Sequence, residues 1–283
     1  MTDDHRMLVS TEWLAAHLGD AGLRILDGSW HMPATERDPR AEFEAQHIPG
    51  AQFFDIDAVA AESDLPHMAA PADVFAAAVG KLGIGDGSQI VVYDNADTRS
   101  AARVWWNFRL MGIGNVAVLD GGLAKWLAEG RPVEAGAVPE AAGQLTVDPQ
   151  PELVRDAAQV ARASASGSHE IIDARPPGRF RGEVPEPRAG LKSGHMPGAK
   201  NVPAGRLYNG DGTMKDAAAL RAEFEAAGVD LSRPVITSCG SGITAASLFL
   251  ALDRIGHEHH ALYDGSWTEW GALPDVEIAT GEA

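Results

Sequence analysis

The chain has 283 residues, 45% of them hydrophobic and 22% charged, which suits two globular domains of about 100–150 residues each. Asp and Glu number 40 against 23 Lys and Arg, a formal charge of −17; that field repels nucleic acid and anionic lipid, so neither is an expected partner. The single cysteine excludes an intramolecular disulfide and a cysteine-rich zinc site. No window approaches about 18 apolar residues and MTDDHRMLVSTEW has no secretory layout, so no membrane partner and a cytoplasmic location are expected.

In chain order, LRILDG (from Leu23) predicts a buried strand and PADVFAAAVGKLG (from Pro71) a helix with apolar positions recurring at three and four. The glycines of LGIGDGSQ (from Leu82) have no helix pattern after them and read as a turn, not a phosphate loop. QIVVYD (from Gln89), the helix SAARVWWNFRLMG (from Ser100) and VAVLDGG (from Val116) complete a first set. Arg131 to Leu153 is rich in Pro, Ala and Gly and reads as a crossing between domains, with the linker proper at 136–153 between domains 1–135 and 154–283. A second set follows: strands EIIDAR (from Glu170), PVITSC (from Pro234) and HHALYDG (from His259), with the helix DAAALRAEFEAAG (from Asp216). Strand and helix alternating in this way predict α/β domains with mainly parallel sheets flanked by helices.

The two sets are copies. EFEAQHIPGAQFFDID is echoed by LKSGHMPGAKNVPAGRL, with His47 and His195 148 positions apart. VVYDNADTRSAARVWW is echoed by VITSCGSGITAASLFL, and LDGGLAKW by YDGSWTEW, both at an offset of 144. Three matches in one order at nearly one offset indicate a tandem pair, not a solenoid. Gap-free alignment sets Asn95 opposite Cys239. The histidines of the two HxPGA motifs are expected to fix a turn. Trp105 and Trp106 are expected in packing, and Trp30 in packing or beside the site.

Cys239 ends an apolar strand and opens CGSGIT, where ligands collect in parallel sheets. Gly240 and Gly242 let the loop curl so that successive N–H groups converge above a helix start, a point suited to an anion. Such surroundings lower a thiol from about 8.5 toward neutrality, giving a nucleophile reachable from solvent, and Ser241 and Thr244 add hydroxyls. A buried structural cysteine is the alternative.

CGSGIT after a strand, HIPGA and HMPGA, and the tandem layout resemble the rhodanese-superfamily sulfurtransferases, in particular the branch that uses 3-mercaptopyruvate, over nearly the whole chain. The resemblance implies two tandem rhodanese-like domains, the second catalytic, with the site in a cleft between them. It implies Cys239 as the persulfide carrier, with Ser241 catalytic and Gly240, Gly242, Ile243 and Thr244 lining the donor; the uncharged loop disfavours thiosulfate. Within the basic stretch holding Arg179, Arg181, Arg188 and Lys192, it implies that Arg179 and Arg188 hold the donor's carboxylate and keto oxygen, with Glu186 orienting an arginine. Asp57 and His67 match a relay to Ser241, at slightly shorter spacing than the family's. The acceptor is a thiol such as thioredoxin, a small dithiol, or cyanide, and neither metal nor organic cofactor is implied. GHEHHALYDG holds three histidines, but strand alternation sends neighbours to opposite faces. A thiosulfate:cyanide sulfurtransferase and a non-turnover sulfur carrier stay open. A dual-specificity phosphatase would need arginine where Ala245 stands.

Overall fold

The computed structural model describes residues 3–282, so the outermost positions of the expected domains, 1, 2 and 283, lie outside the described residues. The chain divides into two compact units. The first gathers Met1–Glu62, Ala69–Gln150 and Asn209–Met214, and the second Ser63–Met68, Pro151–Tyr208 and Lys215–Ala283. Each unit thus takes in a short segment from the other half of the chain.

In the first unit, strands β1 (Leu8–Val9), β2 (Leu23–Asp27), β3 (Ala51–Phe53), β4 (Gln89–Tyr93) and β5 (Val116–Leu119) form a parallel sheet in the order β1-β5-β4-β2-β3. It is accompanied by helices α1 (Thr11–His17), α2 (Pro39–Ala45), α3 (Ala72–Gly80), α4 (Ala101–Leu110) and α5 (Gly122–Ala128). In the second, β6 (Val154–Arg155), β7 (Glu170–Asp173), β8 (Lys200–Asn201), β9 (Val235–Ser238) and β10 (His260–Tyr263) repeat that order as β6-β10-β9-β7-β8, again all parallel. Its helices are α6 (Ala157–Ser166), α7 (Pro177–Phe180), α8 (Ala217–Ala226), α9 (Ala245–Arg254) and α10 (Ser266–Trp270). The six strands and three helices expected above are all present. The central strands β4 and β9 are almost wholly buried, as continuous apolar runs in a sheet covered on both faces must be.

Helix starts follow local chemistry. Asp156 caps α6 through the Gln159 N–H while Gln159 returns the bond to the Asp156 N–H, and Asp216 caps α8 through Ala219. Trp105 and Trp106 are fully buried on α4, as packing requires. The two HxPG histidines do the same job in each unit. His47 Nδ1 meets Phe43 O at 2.8 Å and stacks on that ring, and His195 Nδ1 meets Phe180 O at 2.9 Å and stacks likewise. The Pro-Gly pairs that follow form turns with Gly50 and Gly198 at φ 76° and 77°, the left-handed position of a type II turn.

The Pro/Gly/Ala-rich crossing is held by the first unit up to Gln150. The Gly143 N–H donates to Gly80 O, the Asp86 N–H to Gln144 O and the Gln150 N–H to Leu110 O, while Thr146 bonds both Asp86 oxygens. A side chain on Gly143 would stand 2.3 Å from Ile84 O, so glycine here permits close backbone approach. LGIGDGSQ is a turn, as expected.

Equivalent aspartates end β2 and β7, and each accepts the N–H two residues on: Ser29 to Asp27 and Arg175 to Asp173, both 2.9 Å. Only the second has a guanidinium beside it. Burial without that cation pushes the Asp27 carboxyl up to about 6, despite hydrogen bonds from Ser29. The folded state therefore holds this proton more tightly than the unfolded chain does. Its contribution is full below about pH 3.9 and is lost as pH rises through about 6. Asp27→Asn should accordingly gain on the wild type by about 2–3 kcal/mol between pH 4 and 7. Urea unfolding of both proteins across that range checks this, and parallel curves would refute it.

Candidate active site

Cys239 follows β9 directly, and its loop feeds α9 through Thr244. Its carbonyl accepts the Trp267 N–H at 2.9 Å, and its own N–H donates to Ser266 Oγ at 3.1 Å. Sequence reasoning has the thiol open to solvent; the structure has it recessed, with 2% of the residue exposed, because the strand end lies beneath the start of α10. Any reagent for the thiol must therefore reach into the loop.

The glycines act differently from one another. Gly242 has φ 81° and makes the left-handed bend, whereas Gly240 is not in that region. A Cβ on Gly240 would lie 3.0 Å from Arg179 Nη2, so its missing side chain makes room for a guanidinium against the loop. Ser241 and Ile243 are buried and Thr244 stands at the helix boundary. Thr244 makes no side-chain capping bond.

Arg179 donates Nε–H to Glu186 Oε2 at 3.1 Å, and its Nη2 also pairs with that carboxylate. Glu186 Oε1 accepts from Arg175 Nη1 at 2.8 Å, and Arg175 reaches Asp173 Oδ2 at 2.6 Å and Gly194 O at 2.8 Å. The charges alternate from Asp173 through Arg175 and Glu186 to Arg179. Only Arg179, with 18% of its side chain exposed, meets solvent appreciably; Arg175 and Glu186 stand at 1%. Arg175 also lies 4.1 Å over the Trp267 ring. Burial alone would lower the Arg175 pKa; Asp173 and then Glu186 raise it instead. Arg188 Nη1 reaches Thr268 Oγ1 at 3.4 Å. The other two basic residues of this stretch are engaged away from the loop, Arg181 with Glu183 and Lys192 with Leu273 O.

His67 is buried at φ 61° in the Ser63–Met68 segment, which belongs to the same compact unit as Cys239 and Ser241. Asp57 belongs to the first unit, where its Oδ2 accepts Trp30 Nε1–H at 3.0 Å. Of the three histidines near residue 258, His260 begins β10 and His257 Nε2 meets Arg233 O. Among the described residues no three His, Cys, Asp or Glu side chains are arranged to hold a metal ion, and no helix is long and apolar enough to cross a membrane.

The first unit shows what the loop becomes without a cysteine. Strand register sets Tyr93 opposite Asp27 and Ser238 opposite Asp173, so Asp94, not Asn95, takes the place of Cys239. The Leu123 N–H donates to Asp94 O as Trp267 does to Cys239 O. The first loop is one residue longer, a difference that ungapped alignment cannot carry. The Asp94 carboxylate accepts the Ala101 and Ala96 N–H groups at 2.8 and 3.3 Å, placing a built-in anion at the start of α4.

Ser266 was invisible to sequence reasoning, although the duplication held the signal. Its counterpart Gly122 has φ 58°; Ser266 adopts φ 48° with a Cβ, fully buried. Its hydroxyl accepts the Cys239 N–H and donates to Tyr263 O at 2.8 Å. Left-handed backbone costs a Cβ-bearing residue about 1–2 kcal/mol. Leaving the buried N–H unpaired costs about 1–3 kcal/mol. Ser266→Ala keeps the strain and loses the bond, whereas Ser266→Gly loses the bond and relieves the strain. Urea midpoints should rank wild type, then Gly, then Ala; alanine above glycine would contradict this account.

A model of the rhodanese-like domain matches residues 10–129 and 156–273, once in each half. The chain belongs to the rhodanese-like family. Among its relatives, the 3-mercaptopyruvate sulfurtransferase of Escherichia coli K12 is 42% identical, over 95% of this chain and 96% of the relative. The mitochondrial thiosulfate/3-mercaptopyruvate sulfurtransferase 1 of Arabidopsis thaliana is 41% identical, over 98% of this chain and 79% of the relative. The crystal structure of Escherichia coli SseA, a 3-mercaptopyruvate sulfotransferase of rhodanese fold, superposes with a TM-score of 0.85 at 40% identity, covering 92% of this chain and 98% of that one. In this rhodanese-like chain the cysteine position survives in the second copy alone.

Proposed function

We propose that this sulfurtransferase takes sulfur from 3-mercaptopyruvate onto Cys239 and passes it to a thiol acceptor. The observation that carries the reading is the place of Arg179, packed over Gly240, the residue that follows the one cysteine in the chain. A carboxylate donor meets a local cation there despite the net charge of −17.

The Cys239 thiolate attacks the donor sulfur. An S–S bond forms, the C–S bond breaks, and its electron pair leaves as the enolate of pyruvate, which takes up the proton released by the new persulfide. Arg179 and Arg188 hold the carboxylate and keto oxygen, and Arg188 offsets the charge that grows on the enolate oxygen. Ser241, with His67 of the same unit, carries protons at the sulfur. Loop N–H groups of Gly240, Gly242, Ile243 and Thr244 hold the terminal sulfur. A thiol such as thioredoxin, a small dithiol, or cyanide then attacks that sulfur and restores the cysteine.

Pyruvate release under multiple turnover, with 3-mercaptopyruvate and thiosulfate compared at matched concentration and the persulfide followed by intact mass, tests the reading. Catalytic pyruvate release is expected. A single turnover would make the protein a carrier, and preference for thiosulfate would overturn the donor. Arg188→Ala should raise KM for mercaptopyruvate about tenfold or more, as loss of a charged hydrogen bond to substrate requires.

A further inference from the structure

Thr268, which lies outside the CGSGIT loop and the basic stretch, connects the two. Its N–H and its hydroxyl both donate to Gly240 O, at 2.9 and 2.6 Å. A hydroxyl has one proton, so with that proton on Gly240 its oxygen is left to accept, and Arg188 Nη1 stands on that side at 3.4 Å. The first copy supplies the comparison. Ala124 stands where Thr268 does, at the offset of 144, and the stretch between Phe180 and His195 that holds Arg188 is longer than that between Phe43 and His47.

We propose that Thr268 is a positioning residue that sets the plane of the Arg188 guanidinium against the nucleophile loop, and so selects planar carboxylate donors over tetrahedral ones. A planar oxygen pair needs the fork in its own plane, whereas a tetrahedral sulfur oxyanion presents an oxygen to a rotated fork as well. The inference rests on the donor-binding role given to Arg188 above.

Thr268→Val keeps the shape and removes the hydroxyl; Thr268→Ser keeps the hydroxyl. The ratio of kcat/KM for mercaptopyruvate to that for thiosulfate should fall about tenfold in the valine variant, through KM and not kcat, and return in the serine variant. A merely structural role would lower both donors together and leave the ratio where it was, which would overturn the proposal. Pyruvate protection of Cys239 against iodoacetamide separates this from failure of the donor assignment. If the wild type turns over no mercaptopyruvate, that assignment falls, and weaker protection by pyruvate in the valine variant alone still upholds Thr268, whereas equal protection in all three proteins overturns it.

Discussion

Cys239→Ser should reduce pyruvate release to the uncatalysed background, a loss of roughly 10⁴-fold or more, and abolish the mass gain of one sulfur atom. Serine fills nearly the same volume at a position 2% exposed, so the loop and both arginines stay in place. What is lost is the sulfur nucleophile itself, for which a hydroxyl is a poor substitute. Pyruvate should still bind the variant, which separates loss of chemistry from loss of folding. In the wild type, iodoacetamide should label Cys239 at neutral pH, with sulfur loading blocking it. A serine variant that gains sulfur, or a native thiol inert to alkylation, would end the persulfide mechanism.

The pattern of apolar runs was enough to predict both sheets, because central strands such as β4 and β9 are continuous β-branched stretches between turn signals. The short strands β1, β6 and β8 have two residues each, too few to show any period, and exist because a longer neighbour offers its edge. Cys239 and the arginine stretch were legible because their chemistry is unusual for their setting. Arg175, Ser266 and Thr268 were not. Each acts through a contact between distant parts of the chain, such as Thr268 with Arg188, 80 positions apart. The misplacement of Asn95 has the same root, since one added residue in the first loop is visible only through the sheet register.

The two copies also show how one backbone accepts different charges. In the first, Asp27 is buried without a cation and Asp94 caps the helix with its own carboxylate, so the loop is closed by its own sequence. In the second, Arg175 neutralises Asp173 and the loop carries a thiol instead. The alternating series of charges is balanced within itself and presents Arg179 at its one solvent-facing end, where the proposed carboxylate donor would meet it.

Arg175→Met should therefore produce the largest stability loss of any single change near the site, about 3–5 kcal/mol, because it strands the buried Asp173 carboxylate and takes from Glu186 one of the two guanidinium groups that hold it. Asp173 and Glu186 have side-chain exposures of 0% and 1%, so water cannot take over. Arg175→Lys should recover only part of this, since one ammonium cannot reach Asp173, Glu186 and Gly194 O together and also cover the Trp267 ring. Urea unfolding measures the first effect, and kinetics measure a second. With Glu186 no longer held from behind, Arg179 loses its fixed direction, so KM for a carboxylate donor should rise in whatever fraction stays folded. A methionine variant as stable as the wild type, with KM unmoved, would show that the series of charges neither supports the fold nor aims the arginine at its end.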